Sequence, residues 1–101
     1  MIYKVIVTPQ AERNLVEITD YIARDNPVRA LSFVDELQQR IQSLKTRPMR
    51  HAVVSGYRRI VHGNYLIVYH VREDEGAVYV LLVTEGHRNW TRLLGKRPRP
   101  N

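Results

Sequence analysis

The sequence predicts an α+β domain of order β-α-α-β-β-β, with an antiparallel helix hairpin on one face of a mainly antiparallel four-stranded sheet. Three observations carry that prediction. Two apolar stripes of helical period, Ala11 to Ile22 and Ala30 to Leu44, are separated only by a short stretch around Asn26-Pro27. The period then changes to that of strands around Gly63-Asn64, and Val78–Val83 is apolar at every position. A chain of 101 residues builds one hydrophobic core and is too short for two. Residues 1–95 are therefore expected as a single domain, with 96–101 as a basic flexible tail.

Ile2 to Val7 is a β-rich run that ends at Thr8-Pro9, where threonine as N-cap and proline in the first turn mark a helix start. Ala11, Leu15, Ile18 and Ile22 form the stripe of the first helix, and Glu12, Arg13, Glu17, Asp20 and Arg24 fill the rest. Asn26 and Pro27 repeat the start signal for a second helix with the stripe Ala30, Phe33, Val34, Leu37, Ile41 and Leu44. So short a connection makes the pair antiparallel. Pro48 closes the second helix, and "RPMRHAVVS" reads as a basic connector without a period. Tyr57–His62 and Tyr65–Val71 flank Gly63-Asn64, which suits a type II′ hairpin turn because glycine takes the positive φ at its first position. "REDEGA" is a polar loop before the last strand, and "KRPRPN" holds too little apolar surface to order itself.

Composition excludes several classes. The hydrophobic fraction of 44% and charged fraction of 26% are those of a soluble globular domain, and no apolar run approaches the length that spans a bilayer. There is no cysteine for a disulfide or thiolate metal site, and the N-terminus lacks a secretory pattern, so a cytoplasmic location without membrane contact is expected. The net charge of +6 is unevenly placed. Residues 1–85 carry 11 basic and 10 acidic side chains, whereas 86–101 carry five basic ones and no acid. A second acid-free interval runs from Leu37 to Arg72 and holds Arg40, Lys45, Arg47, Arg50, Arg58 and Arg59. A polyanion or an acidic protein is the matching partner, and solubility alone is the plainer explanation.

Two helices cover one face of such a sheet, so the other face should alternate to polar residues. It does so poorly: "VYVLLV" is apolar on both faces, and Leu66 and Val68 lie opposite the Tyr65, Ile67, Tyr69 set. Each aliphatic side chain left wet forgoes about 1.5–3 kcal/mol of burial. Two covers fit: a second polypeptide, which is the expectation here, or the chain's own Trp90, Leu93 and Leu94 folded back.

Taken in order, Ala11, Leu15, Ile18, Tyr21-Ile22, Asn26-Pro27, Ala30, Phe33, Leu37 and Pro48, followed by Gly56-Tyr57-Arg58-Arg59, Gly63, Tyr69, Val71 and "EGHRNW", form a pattern over about residues 2–90. This pattern resembles the RelE/ParE superfamily of toxins from bacterial type II toxin–antitoxin operons. Two functions compete within that superfamily. RelE-like members cleave mRNA in the ribosomal A site, and ParE-like members inhibit DNA gyrase. The strand Tyr65–Val71 favours the second, because RelE-like nucleases usually carry an arginine where Leu66 stands, and leucine neither transfers a proton nor stabilises a phosphorane.

The resemblance implies a ParE-like, non-catalytic inhibitor that stalls gyrase on DNA, serves plasmid stabilisation, and is neutralised by a cognate antitoxin with an acidic flexible C-terminal segment. It assigns no catalytic residue, metal or cofactor. Target contacts are expected from Arg59, Arg88, Trp90 and Arg92, and antitoxin contacts from Leu66, Val68, Arg59 and Tyr57. The alternative is a ribosome-dependent endoribonuclease acting on mRNA through Arg59, His70, His87 and Arg88. A third reading is an inactive homologue that retains only antitoxin binding. Strand register places Arg58 opposite Tyr69, as its cation–π or hydrogen-bond partner, and Arg59 opposite Val68 on the uncovered face with His70. His51 and His87 lack companion ligands for a metal site. The strand tyrosines read as structural, with buried rings and wet hydroxyls.

Overall fold

A computed structural model describes residues 2–86 and 89–94. The expected basic tail, 96–101, lies outside the described residues, as do His87 and Arg88. The elements are β1 (Lys4–Val7), α1 (Pro9–Ala23), α2 (Pro27–Gln42), two single-turn 3₁₀ helices (Ser43–Lys45 and Pro48–Arg50), β2 (Val53–Val54), β3 (Tyr57–His62), β4 (Tyr65–Arg72), β5 (Ala77–Glu85) and α3 (Trp90–Leu94). The strands form one sheet of order β1-β5-β4-β3-β2. β1 runs parallel to β5, and the other three pairings are antiparallel. No helix among the described residues is long and apolar enough to cross a membrane.

Both helix starts are built by their caps. The Thr8 hydroxyl oxygen accepts from the Ala11 amide at 3.3 Å and donates to the Val80 carbonyl at 2.8 Å, so one side chain caps α1 and ties it to β5. The Asn26 side chain accepts from the Arg29 amide at 3.0 Å, and Pro27 occupies the first turn of α2. The buried stripes Ala11, Leu15, Ile18 and Phe33, Leu37, Ile41, Leu44 then pack on Ile60, Ile67, Tyr69, Val78, Val80 and Val83 of the sheet. Each large aliphatic buried here is worth about 1.5–3 kcal/mol, which fixes the face of the sheet the hairpin covers.

Two expectations need correction, and one strand departs from regular geometry. The sheet has five strands, because Val53 and Val54, read as connector, pair with Arg58 and Tyr57 through a two-residue turn. Ser55 and Gly56 both have positive φ, 53° and 83°, the backbone of a type I′ turn. The alternation of β5 is also broken. Its register on β4 passes from Val68↔Leu82 to Tyr69↔Val80, so Leu81 is an extra residue, and both Leu81 and Leu82 reach the face away from the helices. Finally, that face is not left wet. Leu66, Val68, Leu81 and Leu82 are buried beneath Trp90 and Leu94 of α3. The apolar layer expected to need a second polypeptide is sealed by the chain itself.

Candidate interaction surface

The face away from the helix hairpin is assembled by strand alternation. Tyr57, Arg59 and Val61 of β3 stand opposite Val54, Val68 and Leu66, while His70 of β4 stands opposite Tyr79 of β5. Val68 is fully buried and Leu66 is 3% exposed, so the centre of this face is solid hydrocarbon. Trp90, 6% exposed, closes it, and its indole meets the Tyr57 ring edge-on at 6.2 Å between centroids. At the end of β5 the Gly86 amide donates to the Asn64 carbonyl at 2.7 Å, and Trp90 and Leu94 of α3 pack on Leu81 and Leu82 of that strand.

What remains accessible is a rim. Arg59 is half-buried, and its side chain has no ion pair or hydrogen bond among the described residues. Arg92 is exposed on α3, Leu93 lies beside it, and Val61 is exposed at the hairpin end. Of the expected target contacts, Arg59 and Arg92 are therefore presented to solvent, Trp90 is turned inward as the lid, and Arg88 is outside the described residues. Of the expected antitoxin contacts, Tyr57 and Arg59 are partly accessible, whereas Leu66 and Val68 are covered. Of the four residues in the nuclease alternative, Arg59 and His70 share this face, on either side of the Val68 position. His87 and Arg88 cannot be compared with them.

Arg58 belongs to the other face. Its Nη1 donates to the Met49 and His51 carbonyls at 3.0 and 2.6 Å, and the Tyr69 hydroxyl donates to the Pro48 carbonyl. Arg58 and Tyr69 are thus joined through the connector that both hold, rather than by the direct bond expected. Burial pushes the Tyr69 phenol up to about 12 against the opposing influence of Arg58 and Arg50. No group of three or more His, Cys, Asp or Glu among the described residues is placed to hold a metal ion.

A groove of about 450 Å³ lies next to the lid, between α1 and the end of β5, with Asn14, Glu17, Tyr21, Tyr65, Glu85 and Leu93 among its walls. The Asn14 side-chain oxygen accepts the Val83 amide at 3.1 Å, satisfying backbone that β1 no longer reaches. Burial first, then the Glu85 carboxylate and Tyr21, raise the Tyr65 phenol above its ordinary value. Sequence reasoning missed this groove. The one available signal was Tyr21, a large aromatic beside rather than on the apolar stripe of α1, and it is exposed.

Residues 5–90 match the family described as "ParE toxin of type II toxin-antitoxin system, parDE". No curated protein sequence matches the chain significantly. Among solved structures, the chain is similar to one from the chromosomal ParDE toxin–antitoxin system of P. aeruginosa, at a TM-score of 0.73 and 16% identity, over 83% of this chain and 96% of that one. It is also similar to a chain of the RelBE2 toxin–antitoxin complex from Mycobacterium tuberculosis, at a TM-score of 0.59 and 23% identity, over 84% and 92%. A chain of the archaeal RelE-RelB complex from Pyrococcus horikoshii OT3 aligns at a TM-score of 0.53 and 19% identity, over 87% and 99%. At these identities the likeness to solved structures is one of fold.

Proposed function

This chain belongs to the ParE toxin family of type II toxin–antitoxin systems, and we propose that it acts by binding DNA gyrase and stalling it on DNA, under the control of a cognate antitoxin. The observation that carries this reading is the apolar seal of Leu66, Val68, Leu81, Leu82, Trp90 and Leu94 at the centre of the sheet face. Cleavage of RNA through its 2′-hydroxyl needs a base, an acid and a cation around one phosphate. The hydrocarbon plug itself supplies none of them, and of the four residues in the nuclease alternative only Arg59 and His70 are placed beside it. A surface that binds without chemistry fits better, with Arg59 and Arg92 as accessible cations at its rim. The family match and the ParDE neighbour add support from likeness.

The antitoxin in this reading has an acidic flexible segment that orders on the toxin, the mode in which a disordered chain wraps a large surface. Neighbours of this fold come from toxin–antitoxin systems or complexes, which supports such a partner here. Its contacts begin at Arg59 and Tyr57, and reach Leu66 and Val68 only if Trp90 and Leu94 are displaced.

Purified full-length protein tests the proposal. Inhibition of gyrase supercoiling in proportion to toxin, relieved by the antitoxin, is expected. Codon-linked cleavage of mRNA on ribosomes without effect on gyrase would replace it with the endoribonuclease reading. Antitoxin binding with neither activity would leave an inactive homologue.

A further inference from the structure

Arginines of the acid-free interval between Leu37 and Arg72 gather at the open edge of the sheet, on the helix side, whereas Lys45 lies by the far edge, its carbonyl accepting the Tyr3 amide next to β1 at 2.8 Å. β2 pairs only with Tyr57 and Arg58, so the rest of β3 has an uncovered edge. Arg40, from the end of α2, donates an Nη to the Val61 carbonyl at 3.2 Å there, and its buried Nε has no hydrogen-bond partner among the described residues. A buried orphan donor on a guanidinium is a costly feature that an incoming acceptor relieves. Arg50 Nε lies 3.4 Å from His51 Nε2, and Arg58 bonds the backbone of the same connector. Burial, then Arg50, Arg40 and Arg58 in that order, hold the His51 imidazole below its ordinary value, as three cations around one ring should. Arg50 is exposed, and so is Arg47, whose carbonyl accepts the Arg50 amide at 3.2 Å. None of the ion pairs among the described residues involves Arg40, Lys45, Arg47, Arg50 or Arg58. Glu73 borders a small cavity with Arg58 without pairing to it.

We propose that Arg40, Arg47 and Arg50 form a binding site for the phosphodiester backbone of a double-helical nucleic acid, on the helix side of the sheet and separate from the face closed by Trp90. One feature favours phosphates over an acidic peptide: the site rests on long side chains carrying a field rather than on a pocket, which is how a repeating polyanion is held, and the exposed apolar side chains at this edge are the short Val53 and Val61. The inference goes beyond gyrase inhibition, because it requires no gyrase.

The test is fluorescence anisotropy of the purified chain with a labelled 20-base-pair DNA duplex and, in a second arm, an RNA duplex, both without gyrase and titrated from low to moderate salt. The double variant R47Q/R50Q removes exposed side chains, and R40Q removes the one that bonds Val61, with thermal melting confirming that each folds. R13Q/R24Q, also exposed, removes the same charge from α1 and its end as the control. The cluster variant is expected to bind roughly fivefold or more weakly, with a log–log salt slope shallower by about two units, while the control stays near wild type. Whichever duplex binds more tightly identifies the source of the phosphates. Equal weakening in the control, no salt-dependent binding to either duplex, or tighter binding of polyglutamate at equal charge would each overturn the proposal. Supercoiling inhibition assayed in parallel tests the gyrase reading on its own.

Discussion

The indole of Trp90 stands edge-on to the ring of Tyr57, their planes at 79° and centroids 6.2 Å apart, and this pair closes the second hydrophobic cluster of the molecule. Trp90 comes from a five-residue helix near the end of the described chain, and Tyr57 from the first position of β3. Replacing Trp90 with alanine opens a cavity over Leu66 and Val68 that the rigid strands beneath cannot fill. A loss of about 3–5 kcal/mol is expected, read as a lower midpoint in urea unfolding. If Trp90→Ala unfolds at the wild-type midpoint, the indole is not the lid.

A second anchor joins the sheet to the connector. Tyr69 is fully buried, and its hydroxyl donates to the Pro48 carbonyl. Tyr69→Phe strands that acceptor and should cost about 1–3 kcal/mol. Its pH dependence follows from the raised phenol: a folded-state value of about 12 against the ordinary 10 favours the protonated form in the native state. The contribution is complete below pH 10 and is lost as pH rises from there through 12. Wild type should therefore lose more stability than Tyr69→Phe between those limits in alkaline denaturation. Parallel curves for the two proteins would remove Tyr69 from the account.

The helix hairpin was legible because local and tertiary demands agree there: the stripes Ala11, Leu15, Ile18 and Phe33, Leu37, Ile41 face the core, and Thr8 and Asn26 cap where capping chemistry places them. β3 and β4 were legible through Gly63, whose φ of 60° serves the turn. β2 was hidden because two residues carry no period, although Ser55-Gly56 is a turn pair between Val54 and Tyr57 and was the available sign. The bulge at Leu81 has no local code in a strand that is apolar at every position from Val78 to Val83. The composition of the second face was readable, but not its cover. Trp90 and Leu94 suit a lid or an exposed contact equally in sequence, and the choice depends on where the chain turns after β5. That is a property of packing rather than of residue type.

Glu36 of α2 holds two elements together. It accepts from Arg29 at 2.7 Å on its own helix and bonds His62 Nε2 at 3.0 Å on β3, beside the Phe33 ring over which Arg29 lies. The Arg29 hydrogen bond first, then that of His62, lower the Glu36 carboxyl to about 2 from an ordinary 4.5. A depressed carboxyl contributes stability that is present above pH 4.5 and is lost as pH falls through 2. In thermal melts across that range, wild type should decline more steeply than Glu36→Gln. Arg29 and Glu36 are substantially exposed and His62 partly so, and the difference should therefore shrink in high salt. A Glu36→Gln curve as steep as that of wild type would show that this clasp is not coupled to folding.

Arg59 separates binding from folding. It lies opposite Val68 on the sealed face, with its side chain partly in solvent and no partner among the described residues. Removing it should cost the isolated fold no more than about 0.5 kcal/mol, the usual range for a side chain that supports nothing. Under the proposed function it meets an acidic antitoxin segment, where losing a rim cation slows association and flattens its salt dependence. Arg59→Ala should melt with wild type while binding the antitoxin roughly 3- to 10-fold more weakly at low salt, with the loss in the on-rate. Stopped-flow or surface-based kinetics with the cognate antitoxin read this directly. An unchanged on-rate would move the antitoxin contact away from this face, and a lowered melting midpoint would show instead that Arg59 supports the sheet.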